Sequence, residues 1–187
     1  MSNNSYLFSR PPVWKTRLRG ARARPPVALQ SWLDETGSLT KRLRNHYGHN
    51  LAVSLLFHQW KPAFAEECQC LGVAHHRYQL IREVLLHVDC IPLVLARTIL
   101  PEPTIRIARR NLSHLGTRPL GEVIFAYPDL ELRRRDFSQA APQHWTAAIQ
   151  SQYQVQQATW GRRTLYAIHQ QPLLVSEFFL PDMLRNI

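Results

Sequence analysis

The sequence predicts an α+β fold, a single domain in which helices pack on an antiparallel β-sheet. Two hairpin patterns and one absence predict it. Tyr78–Val88 and Ile91–Leu100 read as strands joined at Asp89-Cys90, with Pro92 at the start of the second, where a missing N–H is tolerated. Thr164–His169 and Pro172–Leu180 repeat the design about Gln170-Gln171. No strand–helix–strand spacing of a doubly wound parallel sheet is present. A chain of 187 residues, 45% hydrophobic, suits one compact domain with its own core.

Residues 1–26 read as a basic, Pro-containing arm preceding a domain at 27–187. From Met1 to Leu33 there are six cations (Arg10, Lys15, Arg17, Arg19, Arg22, Arg24) and no acid, and Pro11-Pro12 and Pro25-Pro26 break any helix there. A short helix is expected from Val27 to Asp34. Thr36-Gly37-Ser38 is a break, and Ser38 can cap a second helical segment carrying Leu39 and Leu43 on one side. Leu51–Trp60 is apolar and β-compatible, and Lys61–Ala74 reads as an irregular connection. Between the hairpins, Thr104–Leu115 has the spacing of an amphipathic helix, with Ile105, Ala108, Leu112 and Leu115 on one face and Gly116 as its stop. Ala140–Thr159, rich in Gln and Ala, reads as a surface excursion.

Net charge is +10 and the pI about 10.3, which favours anionic partners. The arm carries no nucleic-acid motif and no aromatic residues interleaved with its charges, so no nucleic-acid partner is expected. The most apolar stretch, Val84–Leu100, is interrupted by His87, Asp89, Pro92 and Arg97 and cannot span a bilayer. Three cysteines, Cys68, Cys70 and Cys90, are too few for a disulfide scaffold and suggest a reducing cytoplasm. Cys68-x-Cys70 followed by His75-His76 lacks structural-zinc spacing, so no metal is expected. Neither a Gly-rich phosphate loop nor a Ser–His–acid arrangement is legible. His169 is expected to be exposed beside a turn, and Asp136 to pair at the surface with Arg134 or Arg135. Arg162 and Arg163 either gate a pocket or merely precede a strand.

The sharpest signal is charge in apolar rows. Residues two apart on a strand share a face. Arg82 is the one charge in the row Tyr78, Leu80, Arg82, Val84, Leu86, Val88, and Arg97 the one charge in Ile91, Leu93, Leu95, Arg97, Ile99. Glu177 is the one charge in Leu173, Val175, Glu177, Phe179. Burying an unpaired charge costs several kcal/mol, so these groups either pair with each other or meet a ligand. The first alternative is a buried Arg–Glu pair that fixes strand register. The second is a pocket on the covered face, where guanidiniums bind carboxylates and the lone carboxylate meets a hydroxyl or ether oxygen. Two arginines against one glutamate leave a positive remainder, which suits a small organic acid.

At these residues the sequence resembles the chorismate pyruvate-lyase family. The resembling segments run in family order from Trp32-Leu33 and Ser38-Leu39-Thr40-Lys41-Arg42, through Arg82-Glu83 and Ala96-Arg97-Thr98, to Leu115-Gly116-Thr117-Arg118-Pro119-Leu120-Gly121. Arg135-Asp136-Phe137, Trp160-Gly161-Arg162-Arg163, Pro172-Leu173-Leu174 and Glu177-Phe178-Phe179-Leu180-Pro181 complete the set. The resemblance implies an antiparallel sheet with a ligand site enclosed under flaps, no cofactor, and cleavage of chorismate into 4-hydroxybenzoate and pyruvate, a step feeding ubiquinone-type biosynthesis. It implies that Arg82 binds the ring carboxylate and that Glu177 faces the oxygen at ring position 4. Leu39 and Leu120 then touch the ligand through backbone or apolar surface, and Arg97 takes the side-chain carboxylate. A Glu on an apolar face is expected to have a raised pKa and to donate a proton near the ether. The hairpin turns lack the family's glycine, so their types are expected to differ. A monomer is expected. The rival functions are a non-catalytic, effector-sensing domain of the same fold and a basic nucleic-acid or membrane-surface protein.

Overall fold

A computed structural model describes residues 4–16, 24–48, 50–108 and 112–185. Six strands form one antiparallel sheet: β1 (Leu51–Pro62), β2 (Tyr78–Val88), β3 (Ile91–Leu100), β4 (Glu131–Ala140), β5 (Thr159–Ile168) and β6 (Gln171–Phe179). Their order across the sheet is β1-β2-β3-β6-β5-β4. The β2–β3 and β5–β6 hairpins therefore lie side by side, joined by β3–β6 pairing. The helices are α1 (Val27–Leu33), α2 (Leu39–Tyr47), α3 (Ala65–Leu71), α4 (Glu102–Ile107), α5 (Leu120–Ile124), α6 (Ala147–Gln152) and α7 (Pro181–Leu184). Among the described residues no helix is long and apolar enough to cross a membrane.

The register sorts the charges. One row crosses the sheet as Val84, Ala96, Glu177, Arg162, Phe137; the adjacent row, on the other face, is Glu83, Arg97, Ser176, Arg163, Asp136. The front face, which carries the first row, is covered by two apolar clusters. Leu29, Trp32 and Leu43 of α1 and α2 pack on Leu86, Val94 and Phe179, while Leu112, Val123 and Ile124 pack on Leu80, Leu100 and Leu173. The back face has two of its own. Leu7, Phe8, Trp145 and Ile149 cover Leu85, Leu95 and Phe178, while Cys68 and Leu71 of α3 cover Ile81, Ile99 and Leu174.

Several expectations hold. The β2 and β3 limits coincide with the expected hairpin, α1 occupies all but the last residue of its expected span, and Ser38 Oγ accepts from Lys41 N at 3.3 Å as the cap of α2. Others are corrected. Lys61–Ala74 is not irregular: it contains the end of β1 and α3, where Glu67 Oε2 accepts from Phe64 N at 3.0 Å and closes the first turn. The expected helix from Thr104 to Leu115 ends at Ile107, because Ala108 takes an extended ψ of 97°; a short 3-10 turn follows at Leu112–His114. Ile105, Ala108, Leu112 and Leu115 nevertheless join one apolar cluster, so the face was read correctly without the helix.

The second hairpin turns at His169-Gln170, one residue before the expected place. Both residues have positive φ, 46° and 64°, the pattern of a two-residue turn matched to strand twist. Asp129 Oδ2 accepts from His169 N at 2.6 Å and holds this turn without a glycine. The His169 side chain is half exposed, as expected for a turn residue. The arm is not wholly outside the domain: Leu7 and Phe8 are buried in the back core, and Phe8 bridges to Trp145. The expected excursion at 140–159 contains α6, whose Ile149 is also buried there.

Candidate active site

Between the two front clusters the sheet presents a cavity of about 50 Å³, room for a few waters. Its floor carries Arg82 of β2, Ala96 and Thr98 of β3, Val175 and Glu177 of β6, and Arg162 and Tyr166 of β5. Its cover is made by Gly37, Leu39 and Thr40 at the start of α2 and by Pro119, Leu120 and Gly121 at the start of α5. The two helix starts approach closely because residue 121 is glycine: a Cβ there would lie 2.7 Å from Ser38 Oγ.

Arg82 is 2% exposed. Its Nη2 donates to the carbonyls of Gly116 at 2.9 Å and Arg118 at 3.0 Å, which ties the 112–118 cover to the floor. Its Nε is buried and donates to nothing, and among the described residues no carboxylate pairs with it. Desolvation without a counter-charge pushes the guanidinium down to about 10, which leaves it charged at neutral pH. An unpaired cation held in such a place is the physical signature of an anion site.

Glu177 stands two strands away on the same face. Its Oε2 accepts from Arg162 Nε at 2.6 Å. Arg162, 1% exposed, also donates through Nη1 to Glu35 O at 2.6 Å, Trp32 O at 2.9 Å and Leu33 O at 3.5 Å. Behind it, Arg135 Nη1 donates to Glu35 O at 2.7 Å and Leu33 O at 3.5 Å, and its Nε to Thr164 Oγ1 at 3.1 Å. Burial and the Arg162 charge hold the Arg135 guanidinium below its ordinary value. Two arginines thus converge on the carbonyls that end α1 and fix the segment leading into Gly37 and α2. The Tyr166 phenol is pushed up by burial and by the Glu177 charge. Glu177, the lone charge of its strand row, is thus paired across the sheet with a guanidinium from β5.

Four of the five expected site residues, Arg82, Glu177, Leu39 and Leu120, line this one cavity. Arg97 does not, and its expected role on the side-chain carboxylate is corrected. It points to the back face, where Nε and Nη2 donate to Glu67 at 2.8 and 2.9 Å and Nη1 to Glu83 Oε1 at 2.6 Å. The reason is one residue. The hairpin begins with Val88 opposite Ile91 and His87 opposite Pro92, but Leu86 faces Val94, so Leu93 bulges. Without the bulge Arg82 would face Arg97; with it Arg82 faces Thr98 and Arg97 turns over.

Arg162 takes the place in the cavity that Arg97 was expected to fill. Starting β5 at Thr164 concealed it. Extending the strand back to Thr159 puts Trp160, Arg162, Thr164 and Tyr166 on one face by simple alternation. Arg163, its neighbour, lies on the back face with Asp136 Oδ2 at 3.0 Å and a contact to Glu66. Asp136 is therefore buried, not at the surface, although its expected partner Arg134 does reach it at 2.9 Å. Cys68 is buried in the back core and His75 and His76 are exposed; among the described residues no three metal-ligating side chains converge.

The family model described as "Chorismate lyase" matches residues 15–186. The protein named "Probable chorismate pyruvate-lyase" from Methylococcus capsulatus is 41% identical over 158 residues, 83% of this chain and 96% of the relative. The protein of the same name from Aromatoleum aromaticum is 36% identical over 174 residues, 89% and 91% of the two chains. Among solved structures, the PhnF C-terminal domain aligns with a TM-score of 0.56 at 14% identity, over 74% of this chain and 88% of that one. The effector domain of PhnF from Mycobacterium smegmatis aligns at 0.53 and 15%, over 78% and 90%. At these identities the two structures speak for the fold alone. With the family model spanning nearly the whole chain and relatives above one-third identity over most of it, the chain belongs to the chorismate lyase family.

Proposed function

We propose that this protein is a carbon–oxygen lyase that converts chorismate to 4-hydroxybenzoate and pyruvate. The observation that carries the reading is a buried, unpaired guanidinium, Arg82, in one small cavity with Glu177. The ring carboxylate sits on Arg82. It is also met by the first-turn amides of Leu39 and Leu120, which a helix start leaves without intrahelical partners. Across the ring, position 4 then faces Glu177.

The chemistry needs little beyond this. The hydrogen at ring carbon 4 leaves as a proton, its electron pair becomes the last ring double bond, and the carbon–oxygen bond to the enolpyruvyl group breaks. The departing enolate takes a proton on its methylene carbon and becomes pyruvate. Aromatisation drives the step, so the protein holds the ring, excludes water and manages one proton. Glu177, held by Arg162, is oriented to take the proton from position 4 and to accept the hydrogen bond of the oxygen there. No cofactor enters this scheme. With it go a monomer in the cytoplasm, no nucleic-acid partner, and a supply of 4-hydroxybenzoate to ubiquinone-type biosynthesis.

The test is direct. Incubation with chorismate should raise the absorbance of 4-hydroxybenzoate together with an equal amount of pyruvate. Tight binding of 4-hydroxybenzoate without turnover would instead support the non-catalytic, effector-sensing reading, which the shared fold with the PhnF effector domain keeps in view.

A further inference from the structure

Chorismate has two carboxylates, and Arg82 accounts for one. The cavity needs a second anion receptor, and the residue expected there, Arg97, is turned to the back face and saturated by Glu67 and Glu83. Among the described residues only two guanidiniums line the cavity, Arg82 and Arg162. Arg162 spends Nε on Glu177 and Nη1 on the carbonyls of α1 and Glu35. Its Nη2 donates to none of the described residues. Arg162 lines the cavity and is 1% exposed, so a further partner for Nη2 has to come from inside the cavity.

From these contacts we infer that Arg162 Nη2 receives the carboxylate of the substrate's enolpyruvyl group. The inference rests on the chorismate reading and deepens it. The spacing agrees: Arg82 and Arg162 stand three strands apart, about 14 Å of sheet, and line the same cavity with Glu177 on the strand β6 between them. The charges agree as well. The cavity holds two cations and one anion, Arg82, Arg162 and Glu177, with Arg135 behind Arg162 and the neutral Tyr166 beside Glu177. A dianionic substrate fits this set better than the monoanionic ring product. The same guanidinium orients Glu177, so the carboxylate that identifies the substrate is bound next to the group that handles its proton. Its Nη1 bonds couple both to the segment that covers the site.

Arg162→Lys and Arg162→Gln, each checked for a cooperative thermal transition, test this. The inference expects KM for chorismate to rise or kcat to fall by a factor at least tenfold larger than any loss of affinity for 4-hydroxybenzoate, which lacks the second carboxylate. Lysine should recover part of what glutamine loses. Loss of chorismate turnover in strict parallel with 4-hydroxybenzoate affinity, or no loss of either, overturns it. Should neither variant fold, the wild-type protein decides. It should bind 3-(carboxymethoxy)-4-hydroxybenzoate at least tenfold more tightly than the corresponding primary amide, and equal affinities overturn the inference. Turnover by the wild-type enzyme is measured in the same assay. Its absence counts against the lyase reading, whereas turnover with indifferent Arg162 variants counts against Arg162 alone.

Discussion

The two faces of the sheet solve the same problem in opposite ways. Each buries arginines and acids between two apolar clusters. On the back face each buried guanidinium has carboxylate partners within the chain, although Arg163 Nε itself is buried without an acceptor. Arg97 has Glu67 and Glu83, and the remaining lone pairs of Glu83 take Ser5 Oγ at 2.5 Å and the amides of Tyr6 and Leu7 at 2.6 and 3.1 Å. Arg163 has Asp136 and Glu66, with Trp14 stacked on it at 4.7 Å. On the front face Arg82 has two carbonyls and no acid, and Arg162 shares one acid with an open cavity. A buried charge satisfied by its own chain is scaffold. A buried charge left without a counter-ion marks where a ligand completes the structure.

Substitutions on the two faces should therefore separate stability from binding, and the sharpest contrast comes first. Arg97→Met leaves Glu67 and Glu83 buried and unpaired, and should lower unfolding stability by about 3–5 kcal/mol in urea titration, while the folded fraction still binds 4-hydroxybenzoate. A loss below about 1 kcal/mol would break the comparison. Arg82→Ala should do the reverse. Affinity for 4-hydroxybenzoate, read by calorimetry, falls at least about a hundredfold, on the order of 2.7 kcal/mol, while stability falls less than in Arg97→Met, because removing a desolvated cation without a counter-charge offsets part of the loss of its two carbonyl hydrogen bonds.

Glu177→Gln sharpens the front side alone. It keeps shape and one hydrogen bond but removes the proton acceptor, and turnover should fall by about 10²–10⁴ with product affinity little changed. Wild-type turnover across the pH range would remove Glu177 from the chemistry. Smallest is Gly121→Ala, whose Cβ would meet Ser38 Oγ at 2.7 Å. Either Ser38 Oγ gives up its cap on Lys41 N or the two helix starts separate, so product affinity should drop by about tenfold with stability reduced by about 1 kcal/mol. An unchanged affinity would mean that the amides of Leu39 and Leu120 do not share one ligand group.

Several of these elements could be read before any coordinates. The β2 and β3 limits, the Ser38 cap and the apolar face of residues 105–115 follow from periodicity and local hydrogen-bonding chemistry. β4 was harder to see: Glu131-Leu132-Arg133-Arg134 is mostly polar and exposed at the sheet edge, so it lacks the alternation that a half-buried strand shows. α3 was missed because at seven residues it spans two turns, too few for a 3.6-residue period to declare itself against loop composition. The burial of Leu7 and Phe8 was hidden by the prolines and charges that follow them.

Taken alone, the sequence determined an α+β domain with lone charges in its apolar strand rows, Arg82 and Glu177 among them, and left open whether they pair with each other or meet a ligand. Only the tertiary structure decided the other arginine of the cavity. The single extra residue at Leu93 reverses the side of every residue beyond it on β3, sending Arg97 into the back-face ion network and leaving Arg162, from a strand distant in sequence, to complete the cavity. A period of two fixes which residues share a side, but a bulge fixes which side that is, and its position depends on what packs above and below the sheet.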